Sequence, residues 1–118
     1  MYARVTRFEG SEPAKLKQEL GEMREQMQRG LTDESIDQMA EQVKDQFERD
    51  EVARLLGAIK RTIVLADEEQ GSSAMVLFCE TEEDARGVDR LFDAMSPGDG
   101  GGRRQSADIY AVAIDQTF

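Results

Sequence analysis

The sequence predicts an α+β domain whose strands and helices follow the order β-α-β-β-α-β. Three observations carry that prediction. Residues 2–9 alternate in character as a half-buried strand does. Two apolar runs, Ile63-Val64-Leu65 and Ala74–Cys79, are separated by a short polar turn containing Gly71. Between the strands, residues 13–56 and 82–95 carry apolar side chains at spacings of three and four.

In the first strand Tyr2, Arg4, Thr6 and Phe8 share one face, and Ala3, Val5 and Arg7 the other. Gly10 and Ser11 end it. Ser11 or Glu12 is placed to cap a helix, and Pro13 suits its first turn, where the backbone N–H has no intrahelical partner. Leu16, Leu20, Met23, Met27 and Leu31 form a narrow apolar stripe until Gly30 interrupts. Thr32 or Asp33 then caps a second helix with the stripe Ile36, Met39, Ala40, Val43 and Phe47. Val52, Leu55 and Leu56 extend it after a break near Asp50, so the first crossover holds two helices.

The second strand spans 58–66 and the third begins at Ser73 or Ala74 and ends near Glu80, joined as a hairpin. Thr81-Glu82-Glu83-Asp84 reads as a helix start, with Thr81 at the N-cap and acidic residues where the helix dipole favours them. The stripe Ala85, Val88, Leu91, Phe92 and Met95 follows, and Ser96-Pro97-Gly98 stops it. A last strand over 107–115 sets Tyr110, Val112 and Ile114 against Ile109, Ala111 and Ala113. Two βαβ units around a central hairpin form a ferredoxin-like sandwich with an antiparallel sheet, one domain over residues 1–118.

Composition narrows the function by exclusion. The chain has 118 residues, 39% of them apolar and 34% charged, and a formal charge of −10. That charge disfavours nucleic acid and anionic membranes as partners, because phosphate binding needs clustered Lys and Arg. RNA-binding domains with the same strand order carry aromatic-rich central strands, whereas here those strands offer Phe78 and Tyr110. No stretch approaches the ~20 apolar residues of a membrane span, and residues 1–8 lack the apolar core of a signal peptide. These features point to the cytoplasm. Cys79, the single cysteine, lies inside an apolar run and reads as a small buried hydrophobe; no histidine exists to activate it.

The second and third strands are apolar at successive positions, so both faces of the sheet need covering, and the helices cover one. The economical cover for the other is the sheet of a second copy, giving a homodimer with the two sheets face to face and helices outside.

Three stretches also carry a family likeness: Tyr2–Gly10; Gly57-Ala58-Ile59 through Ile63-Val64-Leu65-Ala66-Asp67 to Gly71; and Ala74–Glu80 followed by Thr81-Glu82-Glu83-Asp84-Ala85. In these the chain resembles the dimeric α/β-barrel superfamily, in particular the antibiotic biosynthesis monooxygenase-like domain, over residues 2–9 and 56–116. The resemblance implies a dimeric α/β barrel that binds or oxidises a small apolar or aromatic metabolite without metal or haem. The chain departs from the family in two ways. Residues 10–55 are long enough for two helices where members commonly have one. The family's chemistries also lean on Asn and Trp, with a haem-ligating His in haem-degrading members, and this sequence contains none of the three. Cys79 stands where members often carry Trp. No catalytic residue, cofactor or metal ligand is therefore carried over.

The polar groups left for a pocket are the phenols Tyr2 and Tyr110 and the strand cations Arg4, Arg7, Lys60 and Arg61. A Tyr and an Arg facing one cavity stabilise an enolate or phenolate by hydrogen bonding and charge, which makes Tyr2, Arg4, Arg61 and Tyr110 the pocket candidates. The competing outcome is that these side chains reach solvent at sheet edges or pair with the many carboxylates. The Gly98–Arg104 loop follows a helix C-terminus, where the dipole opposes phosphate binding. The methionines on the apolar stripes read as core filler, in a form that also adapts to apolar ligands. Two functions follow: a barrel that binds or oxidises a small apolar metabolite, or a non-catalytic interaction or stress-related module acting through its dimer surface and the helices of residues 32–56.

Overall fold

The computed structural model describes residues 1–95 and 103–117. Its elements are β1 (Tyr2–Glu9), α1 (Pro13–Arg29), α2 (Asp33–Gln42), α3 (Arg49–Gly57), β2 (Ile59–Asp67), β3 (Ser72–Cys79), α4 (Glu82–Ala94) and β4 (Arg103–Ala111). The strands form one sheet in the order β2-β3-β1-β4, with every neighbouring pair antiparallel. That order follows from the crossovers. Each helical connection carries the chain over one intervening strand, and the hairpin fills the gap beside β1. Four antiparallel strands in this order, with helices on one face, make the ferredoxin-like α+β fold.

Local signals fix the helix ends. Thr32 Oγ1 accepts a bond from the Ser35 N–H while the Thr32 N–H donates to Ser35 Oγ, a reciprocal cap that opens α2. Thr81 Oγ1 accepts from the Asp84 N–H at the start of α4, ahead of Glu82, Glu83 and Asp84 in the first turn. Glu12 occupies the N-cap of α1 without a side-chain bond, and Pro13 fixes the first turn instead.

The first crossover holds three helices where the sequence pattern predicts two, and its break lies at 43–48, not near Asp50. Val43 ends α2 at φ −118°, and the Gln46 and Phe47 N–H groups both donate to its carbonyl. The turn lets Val43 and Phe47 point inward while a new axis aims Val52 and Leu55 at α4. Both remain apolar at the expected positions, so the stripe looks continuous in the sequence although the helix is not. Arg49, at the start of α3, pairs with Asp37 and lies 3.6 Å from Asp33, tying α3 back to α2.

The last strand also differs from the expectation, running over Arg103–Ala111 instead of 107–115. β1 sets its length: β4 pairs with all of β1, from Tyr2↔Ala111 to Glu9↔Arg103, with a register shift between Arg7 and Phe8. Beyond Ala111 the Val112 N–H donates to the Met1 carbonyl, and the ladder has no partner left. Ile114, expected inside the sheet, is exposed. The expected helix stop at Ser96-Pro97-Gly98 lies outside the described residues.

The core lies between the sheet and the layer made by α2, α3 and α4. Val52, Leu55, Val88 and Leu91 are its fully buried centre, joined by Leu77 and Cys79 of β3 and by Ile36 and Val43. Each such side chain contributes about 1.5–3 kcal/mol by leaving water. Two glycines permit close approaches. A Cβ on Gly87 of α4 would lie 2.5 Å from Leu55 Cδ2, so its absence lets α3 and α4 meet. Gly71 closes the β2–β3 hairpin at φ +68°, and its carbonyl accepts a bond from the Ser11 N–H. A Cβ there would stand 1.9 Å from the Ser11 carbonyl oxygen. Gly71→Ala therefore combines left-handed strain with a backbone clash. It is expected to destabilise the fold by about 2 kcal/mol or more, read as a lower urea midpoint.

Candidate functional site

Strand register decides which side chains meet. On the helix side, Tyr2, Arg4 and Thr6 of β1 stand opposite Cys79, Leu77 and Met75 of β3. β2 contributes Thr62, Val64 and Ala66 to this side, after a register shift between Ile59 and Arg61. The other face carries three complete rows: Arg61-Phe78-Ala3-Tyr110, Ile63-Val76-Val5-Asp108 and Leu65-Ala74-Arg7-Ser106, read from β2 across to β4. No described helix packs there. Leu65 and Tyr110 are exposed, and Val5, Ile63, Val76 and Phe78 are half-buried.

Arg4 is the polar centre of the helix side and is only 3% exposed. Its Nε donates to Asp89 Oδ1 at 2.7 Å and its Nη1 to Thr6 Oγ1 at 2.7 Å. Asp93 lies 3.6 Å from Nη2, and the guanidinium sits 5.4 Å from the centre of the Phe92 ring. Asp93 is shared with Arg104 of β4. One buried cation thus joins β1, α4 and, through Asp93, β4. Its donors point into the protein's own carboxylates, so the group is built to hold α4 on the sheet.

Cys79 is fully buried beneath α4. Burial pushes its thiol pKa up and the nearby Asp84 charge adds to this, with Lys60 opposing. The protonated, enclosed sulfur is a packing group, not a nucleophile.

The four pocket candidates divide between the two faces. Tyr2 and Arg4 lie on the helix side of β1, two residues apart. Arg61 and Tyr110 lie on the other face, on the edge strands β2 and β4, in the same row. The aromatics of the central strands β1 and β3 are therefore Tyr2, Phe8 and Phe78, and not Phe78 and Tyr110 as the sequence pattern suggests. Arg61 rests over Phe78, with its guanidinium 5.9 Å from the ring centre. None of the four lines either of two clefts found among the described residues.

The larger cleft, about 460 Å³, opens between α1 and β2. Leu20, Met23 and Met27 line it from the helix, and Thr62, Val64 and Ala66 from the strand, with Arg24, Gln28 and Glu68 also on the wall. The methionine stripe of α1 is legible in the sequence. That it stands off from the strand is not, because period alone does not give the distance between two elements. A second cleft of about 390 Å³ wraps the hairpin end of the sheet, between Phe8, Leu65 and Ser73. Among the described residues, no group of three or more His, Cys, Asp and Glu side chains is arranged to hold a metal ion, and no helix is long and apolar enough to cross a membrane.

No protein-family model matches the chain, and no curated protein matches it. Among solved structures, the chain is similar in fold to a crystal structure of a dimeric ferredoxin-like protein from an uncultured marine organism. The TM-score is 0.48 at 9% identity, over 98% of this chain and 92% of that one. A likeness at this level carries nothing about how this chain assembles or acts.

The Arg4 cluster makes an asymmetric prediction. Asp89→Ala strands a buried guanidinium, whereas Arg4→Met leaves carboxylates that are partly open to water. Asp89→Ala is expected to cost about 3 kcal/mol of unfolding free energy and Arg4→Met clearly less, both read by urea denaturation.

Proposed function

We propose that the protein acts as a homodimer of the dimeric α/β-barrel type, related to the antibiotic biosynthesis monooxygenase-like domain, and binds a small apolar or aromatic metabolite in the cleft between α1 and β2. One observation carries the dimer: a sheet face of Val5, Ile63, Leu65, Val76, Phe78 and Tyr110 with no described helix over it. A contiguous apolar face of this kind marks an interaction surface, and a second identical sheet covers it at the usual spacing of about 10 Å between stacked sheets.

The cleft supports the ligand. Its volume, about 460 Å³, falls in the range of small-molecule sites, and its Leu, Met and Val lining adapts to an apolar guest. The chemistry proposed is binding, with oxidation left to a substrate that reacts without metal or haem. A setting in the cytoplasm suits a lone, reduced, buried cysteine. The alternative, an interaction module working through the helices at 32–56, asks for exposed apolar side chains there. The large apolar side chains of that segment are buried or half-buried, and the exposed ones beside it are Met27 of α1 and Leu31 in the turn before α2. We therefore favour the binding protein.

Two measurements test this reading separately. Val76→Glu places a charge at the middle of the bare face and leaves the monomer's helix-side core untouched. It is expected to convert a dimer to a monomer by light scattering, with an unchanged circular dichroism spectrum. A panel of aliphatic and aromatic small molecules screened by thermal unfolding is expected to contain ligands that raise Tm by about 5 °C or more near saturation. Met23→Asp is expected to abolish that rise. A wild-type monomer at micromolar concentration would sink the dimer, and a panel without a shift would sink the ligand.

A further inference from the structure

The dimer proposed above leaves open how the two sheets face each other, and the bare face itself answers. For two sheets packed with their strands aligned, a two-fold axis between them runs either along the strands or across them. The first lays β2 of one protomer over β4 of its partner and β3 over β1, keeping each row on the matching row. The second lays every strand on its own copy and reverses the rows.

Charge separates the two arrangements. Across the strands, the middle row falls on itself, so Asp108 lies against its own copy, and like charges directly opposed are strongly unfavourable. Along the strands, Asp108 passes over the partner's β2. There Arg61 stands one row away, about two residues along a strand, which an arginine side chain spans. Arg61 also falls on the row that holds Tyr110 of β4. Shape agrees with the second strand pair. β3 over β1 sets Phe78 on Ala3, Val76 on Val5 and Ala74 on Arg7, so large meets small in each unequal pair.

We infer that two copies of this chain pack with the two-fold axis along the strands, so that at each rim Arg61 of one protomer sits between its own Phe78 and Tyr110 of the partner subunit and pairs with Asp108 of the partner subunit. Arg61 already rests over Phe78, at 5.9 Å from the ring centre, and so is posed for a second aromatic face. Arg61 and Tyr110, on opposite edges of one sheet, become neighbours only in this assembly. This inference rests on the dimer reading and adds the axis and the contact pair.

Charge reversal tests it. Arg61 and Asp108 are exposed in the protomer, so their replacement leaves the fold intact, which circular dichroism verifies. Arg61→Asp and Asp108→Arg, each alone, are expected to weaken self-association by about a hundredfold, because each opposes like charges at two symmetric rims. The chain carrying both changes is expected to regain the dimer, measured by light scattering across a dilution series. Arg61→Asp dimerising as well as wild type, or the double variant associating no better than the single ones, would overturn the axis and leave the dimer standing. A wild-type chain that stays monomeric would overturn the dimer and this inference together.

Discussion

A β-strand turns successive side chains to opposite faces, so an apolar run without interruption loads both. Ala74–Cys79 is such a run, on a strand held between two others. Everything else in the molecule is arranged around the resulting two-sided demand. Leu77 and Cys79 are met by α3 and α4, where they are almost wholly buried. Val76 and Phe78, pointing the other way, are half-buried only by their neighbours on the sheet. The ferredoxin-like topology cannot correct this, because right-handed crossovers place both helical connections on the same side.

The helix side is unusual in holding an arginine near its centre. Arg4 is desolvated, and such a group persists only where its charge and donors are matched. Asp89, Thr6, the Phe92 face and Asp93 supply that match from α4 and from β1 itself. A purely apolar contact would let α4 slide along the sheet at little cost, whereas a directional ion pair fixes one register. Gly87 acts at the same layer from the other side, bringing α4 down onto Leu55. The stability of the layer thus rests on apolar burial, and its geometry on one cation and one missing methyl group.

The order of elements was legible because each strand and helix carries its own period and its own terminators. Thr81 and Thr32 cap as their spacing suggests, and Gly71 closes the hairpin where the turn residues cluster. What was not legible depends on relations between elements. The break at 43–48 hides because Val43, Phe47, Val52 and Leu55 keep an apolar stripe across a change of axis. The early start of β4 follows from the length of β1, a partner far away in sequence. Arg4, Arg61, Tyr2 and Tyr110 look alike as polar residues on strands, yet parity sends two to each face, and only Arg4 meets carboxylates inside. The cleft between α1 and β2 is a distance, and no pattern of side chains encodes a distance.

Net charge sets the last constraint. Two chains of −10 each repel, so any self-association needs a surface from which that charge has been withdrawn. The three complete rows of the bare face contain Arg7, Arg61 and Asp108 as their charged members, two cations and one anion in a strongly acidic chain. Most of the acidic residues sit on the helices and in the turns instead, with Glu9 and Asp67 at the hairpin end of the strands. Stacked sheets are about 10 Å apart and the helices lie beyond each, a separation past the Debye length of about 8 Å at physiological salt. The long-range repulsion between two protomers is therefore screened where they approach, and the few charges left on the face act at short range. At that range they favour orientation over bulk attraction, since a single Asp108 is tolerated opposite one strand and opposed on another. In the proposed dimer, one sheet face would thus decide both whether two copies meet and which way round they lie.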